Sequence, residues 1–72
     1  MAKQTNAVYR VTEVIGTSSN SWEDAARSAV KVASKSLRDL RIAEITKLDV
    51  KIEDGKVVQF RVRLALSFKY DA

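Results

Sequence analysis

The strongest structural signal in this 72-residue chain is a strict alternation of side chains near its carboxyl end. Apolar residues occupy every second position there, namely Val58, Phe60, Val62, Leu64, Leu66, Phe68 and Tyr70. Successive side chains of a strand point to opposite faces, so the pattern predicts a strand with one buried face and one wet face. An edge strand of this length would invite aggregation, so we expect it at the centre of a sheet.

A second alternating segment, residues 8–16, predicts a first strand. Its predicted core face consists of Tyr9, Val11 and Ile15. Arg10 and Thr12 are then expected on the opposite face. Small polar residues fill positions 16–21, and such clusters favour turns and helix caps. The strand is therefore expected to end in a loop that leads into a helix.

The segment after this loop has the spacing of an amphipathic helix. Ser21 and Asp24 have the form of a capping box, in which Ser21 accepts a backbone N–H bond and Asp24 reaches back to the cap. Apolar or small side chains recur every three or four residues, at Trp22, Ala25, Ala26, Ala29, Val30, Ala33, Leu37 and Leu40. The four alanines of this stripe allow the helix to approach a sheet closely.

Residues 42–53 predict a second strand. Its later half alternates cleanly, with Leu48, Val50 and Ile52 on one face. Ala43 and Ile45 fall out of phase with that face, which indicates a bulge or twist near Thr46. The dipeptide Asp54-Gly55 follows, and it is a strong signal for a two-residue hairpin turn. The second and third strands are therefore expected to pair as a hairpin.

The elements occur in the order β-α-β-β, which predicts an α+β fold. With the third strand central, the chain forms a three-stranded antiparallel sheet packed on one helix. We predict a single domain over residues 1–72, with a flexible N-terminus over residues 1–6. One helix covers only one face of a sheet, so the other face is expected to meet water or another subunit. The polar residues predicted on that face are Arg10, Thr12, Gln59, Arg61 and Arg63.

The composition limits both the stability and the chemistry of such a chain. A core of this size usually needs disulfides, a metal or partner subunits, and the chain has no Cys and no His. Oligomerisation is then the expected means of stabilisation. The same absence removes the usual nucleophile–base pairs, so an enzyme is not expected. No apolar run reaches the length of a membrane span and no signal-peptide pattern occurs at the start, which predicts a cytoplasmic protein.

The net charge of +4 raises nucleic acid as a candidate partner. A small basic module would use Arg10, Arg61, Arg63 and Lys69 on the open sheet face. Basic and acidic residues are interspersed along the chain, however, and the predicted face lacks the aromatic side chains that single-strand binders use for stacking. Nucleic-acid binding is therefore kept only as an alternative.

Four segments together resemble the dodecin family: VYRVTEVIGTS at residues 8–18, SWEDAA at 21–26, LRDL at 37–40 and LALSF at 64–68. The resemblance covers nearly the whole chain. It implies a small β-α-β-β protein that assembles into a hollow dodecamer. It also implies storage or sequestration of flavins, riboflavin or FMN, without catalysis.

The positions that contact flavin in the family differ in this sequence. The resemblance places Ile42 where flavin-binding members have a stacking Trp, two residues before Glu44, and places Arg61 where they have a Gln. Together with Arg63, these residues are the predicted ligand contacts. The combination resembles a divergent subgroup that includes calcium dodecins. We therefore expect a degenerate flavin pocket and an unknown ligand, with a working flavin store as the alternative and with coenzyme A and calcium as further candidates.

Arg61 and Arg63 are two positions apart on the polar face of the third strand, so they project side by side. Crowded like charges destabilise a sheet unless acids pair with them. The candidate acids are Glu13 and Glu44 on the neighbouring strands. If those acids pair with the arginines, the cluster is structural. If they do not, the arginines are expected to bind an anion such as a phosphate-bearing cofactor.

Overall fold

The computed structural model describes residues 6–69, which form one helix and three strands. In chain order these are β1 (Tyr9–Ser18), α1 (Trp22–Ala33), β2 (Leu40–Glu53) and β3 (Lys56–Lys69). This order confirms the predicted β-α-β-β arrangement of an α+β fold. Residues 1–5 of the predicted flexible N-terminus lie outside the described residues, as does Tyr70.

Strand β3 lies at the centre of an antiparallel sheet whose order is β1-β3-β2. Asp54 and Gly55 connect β2 to β3 with φ values of 51° and 73°. The predicted two-residue turn requires such positive values at both positions. The central position of β3 and the hairpin are thus both confirmed. Helix α1 covers one face of the sheet, and we call the other face the open face.

A small core joins α1 to the centre of β3. Val62, Leu64 and Leu66 of the strand are almost fully buried, together with Ala25 of the helix. Partly buried side chains surround this cluster: Val14, Ala26, Ala29, Val30, Ala33, Leu37 and Leu40. Val58, which was also predicted on the buried face, lies at a register shift near the hairpin and is exposed.

The predicted orientation of β1 is wrong. Its even-numbered residues pair with the buried residues of β3, so Val14 and Gly16 face the helix, and Arg10 and Thr12 lie on that same side. The three predicted core residues, Tyr9, Val11 and Ile15, are exposed on the open face. The close packing of the helix on Gly16 explains why this face of β1 is the buried one. A Cβ added to it would lie 2.4 Å from the carbonyl oxygen of Ala25, so the helix packs against the one position of β1 that has no side chain.

Strand β2 contains the predicted bulge. Its register with β3 shifts between Ile45 and Lys47, which leaves Thr46 as the extra residue. An extra residue reverses the alternation of side chains along the strand. Ala43 and Ile45 consequently share the helix side of the sheet with Leu48, although the sequence separates them by odd intervals.

Helix α1 is shorter than its apolar stripe predicts. It ends at Ala33, and turns occupy residues 34–39, where Asp39 has a φ of 55°. A left-handed residue does not continue a right-handed helix, so the helix does not resume before β2 begins at Leu40. Leu37 and Leu40 still pack against the core, which accounts for their place in the stripe.

The N-terminal cap is partly as predicted. The Ser21 hydroxyl accepts a hydrogen bond from the backbone N–H of Asp24 at 3.0 Å. The Asp24 carboxylate, however, accepts from the hydroxyl of the buried Ser18 at 2.6 Å instead of reaching back to Ser21. This bond ties the end of β1 to the first turn of α1. Over residues 6–69, no helix has both the length and the apolar character needed to cross a membrane.

Candidate ligand-binding site

The open face carries all four residues predicted as ligand contacts: Ile42, Glu44, Arg61 and Arg63. The two arginines alternate with the buried residues of β3 and therefore point away from the helix. A register shift after Leu40 places Ile42 opposite Ser67, and Glu44 lies opposite Ala65. Since directly paired residues share a sheet face, both β2 residues join the arginines.

Two small residues of β3, Ala65 and Ser67, lie in the middle of the open face near the C-terminal end of this strand. Ser67 lies between Val11 and Ile42, and Ala65 lies between Glu13 and Glu44. The flanking side chains are longer, so they stand above a shallow central trough. Ile42 is 61% exposed and supplies an aliphatic surface with no aromatic ring.

Arg61 is held by Asp49, its direct partner across β2 and β3. The Arg61 Nε donates to Oδ1 of Asp49 at 2.8 Å, and Nη2 donates to Oδ2 at 3.1 Å. These two bonds form the bidentate geometry that a guanidinium makes with a carboxylate. They lower the pKa of Asp49 below its usual range, an effect to which the charges of Arg61 and Arg63 contribute, and they raise the pKa of Arg61.

The predicted acidic partners of the arginines are wrong. Glu13 and Glu44 lie opposite Ala65, one paired row beyond Arg63, and neither forms an ion pair with it. Asp49 takes the role for Arg61 because the bulge at Thr46 sets the register of β2. Asp49 alternates with Leu48 and Val50 and so faces away from them, but its pairing with a residue of β3 depends on that register. Among residues 6–69, no acidic side chain lies within ion-pair distance of Arg63.

Trp22 supports the site from the helix side. Its indole Nε1 donates to the carbonyl oxygen of Asp49 at 3.0 Å. Its ring meets Phe60 edge-on, with 5.2 Å between centroids. The start of α1 therefore fixes the backbone of the residue whose carboxylate holds Arg61. Because it lies on the helix side, Trp22 does not replace the aromatic ring that Ile42 lacks.

The proposed nucleic-acid surface is not assembled as predicted. Arg10 pairs with Phe68 and lies on the helix side, away from Arg61 and Arg63. One aromatic residue, Tyr9, does lie on the open face, where the prediction expected none. It is at the edge of the sheet, opposite Lys69. Arg61 already has a carboxylate partner, so the basic character of this face is lower than its arginines suggest.

Comparison with known proteins agrees with this fold. The dodecin family model matches residues 8–71. Calcium dodecin of Mycobacterium tuberculosis is 40% identical over 63 residues, which cover 88% of this chain and 89% of the relative.

Solved structures give the same result. A dodecin from Streptomyces coelicolor is 43% identical with a TM-score of 0.88, and the match covers 96% of this chain and 99% of that one. The structure of the calcium-chelating calcium dodecin from M. tuberculosis, described as having a novel calcium-binding site, is 41% identical with a TM-score of 0.79 over 90% of this chain and 93% of that one. The chain belongs to the dodecin family.

Proposed function

We propose that this chain is a non-enzymatic, self-associating protein that binds a small ligand on its open face, around Ile42, Glu44, Arg61 and Arg63. Membership of the dodecin family supports an assembly of twelve copies. The exposed apolar side chains of the open face also support self-association, since Val11 and Ile42 are each more than 60% exposed. Sedimentation velocity is expected to give a species near twelve times the chain mass of 8.0 kDa. A monomer at micromolar concentration would contradict the assembly.

The observation that carries the ligand proposal is the Asp49–Arg61 pair. A flavin ring needs an aromatic partner for stacking and an amide-like group that both donates and accepts at its polar edge. Ile42 has no π face, and Arg61 offers only donors, two of which bind Asp49. The residues present do not fit a flavin. We infer that flavin affinity is weak and that the physiological ligand belongs to another class.

Riboflavin fluorescence quenching tests this inference. We expect the double variant Ile42→Trp with Arg61→Gln to bind at least about tenfold more tightly than the wild type, since one stacked ring contributes roughly 1–3 kcal/mol. Ile52→Trp is the matched control, because Ile52 is equally exposed but lies ten residues further along β2, roughly 33 Å away. Tight binding by the wild type would show that the chain is a working flavin store.

Calcium is a second candidate because one relative, from Mycobacterium tuberculosis, is named calcium dodecin, and its solved structure is described as having a calcium-binding site. Calcium prefers six to eight oxygen ligands. Within residues 6–69, no three acidic side chains cluster closely enough to hold a metal ion. The described part of a single chain therefore offers no carboxylate cluster for calcium, and we propose that a calcium site, if formed, draws carboxylates from more than one subunit. Calorimetric titration with calcium, compared with magnesium, distinguishes a specific site from screening of surface charge.

A further inference from the structure

Two cations face each other across the open face. Lys47 of β2 is the direct partner of Arg63 of β3, and both side chains are exposed. Directly opposed residues of an antiparallel pair have Cβ atoms about 4.5–5.5 Å apart. Like charges at this spacing repel, so the arrangement destabilises the sheet unless an anion lies between them.

In the part of the chain that the structure describes, no acidic side chain forms an ion pair with Lys47 or Arg63. The nearest acid along the strands is Asp49, and both of its carboxylate oxygens bind Arg61. Glu13 and Glu44 lie one row away and form no ion pair with either cation. Lys47 and Arg63 thus differ from Arg61, whose charge is balanced.

The local backbone holds the two cations in register. The Thr46 hydroxyl donates to the backbone carbonyl of Arg63 at 3.2 Å, directly beside the bulge that places Lys47 opposite Arg63. On the β1 side, Ile15 is the direct partner of Arg63. A cleft of about 450 Å³ is lined there by Glu13, Val14, Ile15 and Arg63. This cleft lies on the side of Arg63 away from Lys47.

We propose that Lys47 and Arg63 form an anion subsite of the open face and that its ligand class is a phosphate monoester. This inference rests on the proposed function and specifies the ligand chemistry of that site. A phosphate monoester is close to doubly charged at pH 7 and has three acceptor oxygens. One pair of oxygens suits the planar fork of an arginine, while the remaining charge suits the compact ammonium of a lysine. A carboxylate has only two oxygens and a single negative charge, so it balances the charge of one cation and leaves the charge of the other unbalanced.

Glu13 sets the position of the anion. Glu13 lines the cleft on the β1 side of Arg63, and its negative charge disfavours a phosphate there. The phosphate therefore binds on the β2 side, between the guanidinium and Lys47. Neutralising Glu13 is expected to strengthen phosphate binding, whereas neutralising either cation weakens it.

Calorimetric titration with inorganic phosphate at low ionic strength tests the subsite on the full chain. We expect Lys47→Gln and Arg63→Gln each to weaken phosphate binding about tenfold or more, because each removes charge-assisted hydrogen bonds. Glu13→Gln is expected to tighten binding. The matched control is Lys51→Gln, since Lys51 is an exposed lysine of the same strand that already pairs with Glu53 at 3.4 Å. Its affinity is expected to stay within about twofold of wild type.

Two results would overturn the subsite. One is the absence of saturable phosphate binding up to roughly 20 mM, and the other is equal weakening by all three cation variants, which indicates screening alone. Arg63→Lys guards against a folding defect, since it keeps the charge and is expected to retain part of the affinity. The phosphate titration is independent of the riboflavin experiment, which tests the ring pocket formed around Ile42 and Arg61. Loss of phosphate binding with successful riboflavin rescue removes only the subsite, and the reverse pattern removes only the ring-pocket part of the proposed function.

Discussion

Replacing Gly16 with alanine is expected to destabilise the protein through a direct clash between β1 and α1. The added Cβ would lie 2.4 Å from the Ala25 carbonyl oxygen and 2.8 Å from the Ala29 Cβ. Both are fixed to the helix backbone, so no rotamer change relieves the contact. Favourable separations are near 3.5 Å, and the helix must therefore move away from the sheet by roughly 1 Å.

Overpacking of this kind typically costs about 1–3 kcal/mol. A domain of this length is stabilised by about 4–11 kcal/mol in total, so the loss is a large fraction. The unfolded chain of the alanine variant has less entropy, which offsets about 0.4–1 kcal/mol. With the middle of both ranges the net loss is about 1.3 kcal/mol. We therefore expect a fall in Tm of roughly 5–10 °C, measured by circular dichroism at a fixed protein concentration because assembly contributes to stability.

Two further variants identify the cause. Ala29→Gly removes one of the two clashing atoms, so it is expected to restore part of the stability of Gly16→Ala, with a coupling of about 0.5 kcal/mol or more. Gly55→Ala is the control, because nothing lies within 4 Å of its added Cβ and any cost comes from its positive φ alone. It is expected to show no coupling to Ala29→Gly. A Gly16→Ala protein as stable as the wild type would refute the close approach and, with it, the assigned face of β1.

Three other substitutions test separate contacts. Trp22→Phe keeps a ring beside the sheet but removes the indole hydrogen bond to Asp49, and urea unfolding is expected to show a loss of about 1 kcal/mol; an unchanged midpoint would contradict the bond. Asp49→Asn breaks the bidentate pair with Arg61. Pairing lowers the pKa of Asp49 in the folded state. The contribution of the pair to folding stability is therefore present above the usual aspartate pKa of about 3.9 and is lost as pH falls through the lower folded value. The stability difference between wild type and Asp49→Asn should therefore shrink in acid, and a pH-independent difference would contradict the pairing. Ser18→Ala removes the acceptor of two backbone N–H groups and the donor to the helix cap, so it is expected to cost about 0.5–2 kcal/mol, whereas the exposed Ser19→Ala is expected to be neutral.

The hairpin half of the fold could be predicted because its signals are local and redundant. Alternation from Phe60 to Phe68 fixes one face of β3, and Asp54-Gly55 fixes the turn. Strand β1 could not be oriented in this way, because apolar side chains occur on both of its faces. The close approach of α1 to Gly16 determines which face of β1 is buried, and this contact joins residues that are far apart in the sequence.

The structure places the four candidate ligand contacts on one face, but their pairing with acidic residues differs from the prediction. Ile42, Glu44, Arg61 and Arg63 do share one face. Alternation within β3 indicated this for the two arginines, whereas the resemblance to dodecins supplied Ile42 and Glu44. Which acid meets Arg61 depends on the register between β2 and β3. A bulge at Thr46 was visible as a break in alternation, yet its effect on register follows only once both strands are aligned.

The capping interaction shows the same distinction between local and tertiary information. The bond from the Asp24 backbone to Ser21 is local and was predicted from spacing. The Asp24 carboxylate instead binds Ser18, because the chain reverses between β1 and α1 and brings that hydroxyl close. A reciprocal capping box and this alternative have the same sequence pattern within residues 21–24.

The flavin content of the protein purified from flavin-rich cells tests the central claim most directly. Visible absorption, measured against protein concentration, gives the ratio of flavin to chain without any added ligand. The open face described above, with Ile42 in place of a ring and Arg61 bound to Asp49, predicts a colourless protein with less than about one flavin per ten chains, as expected for a pocket that has lost its stacking contacts. A yellow protein with flavin approaching a fixed stoichiometric ratio to the chain would contradict it.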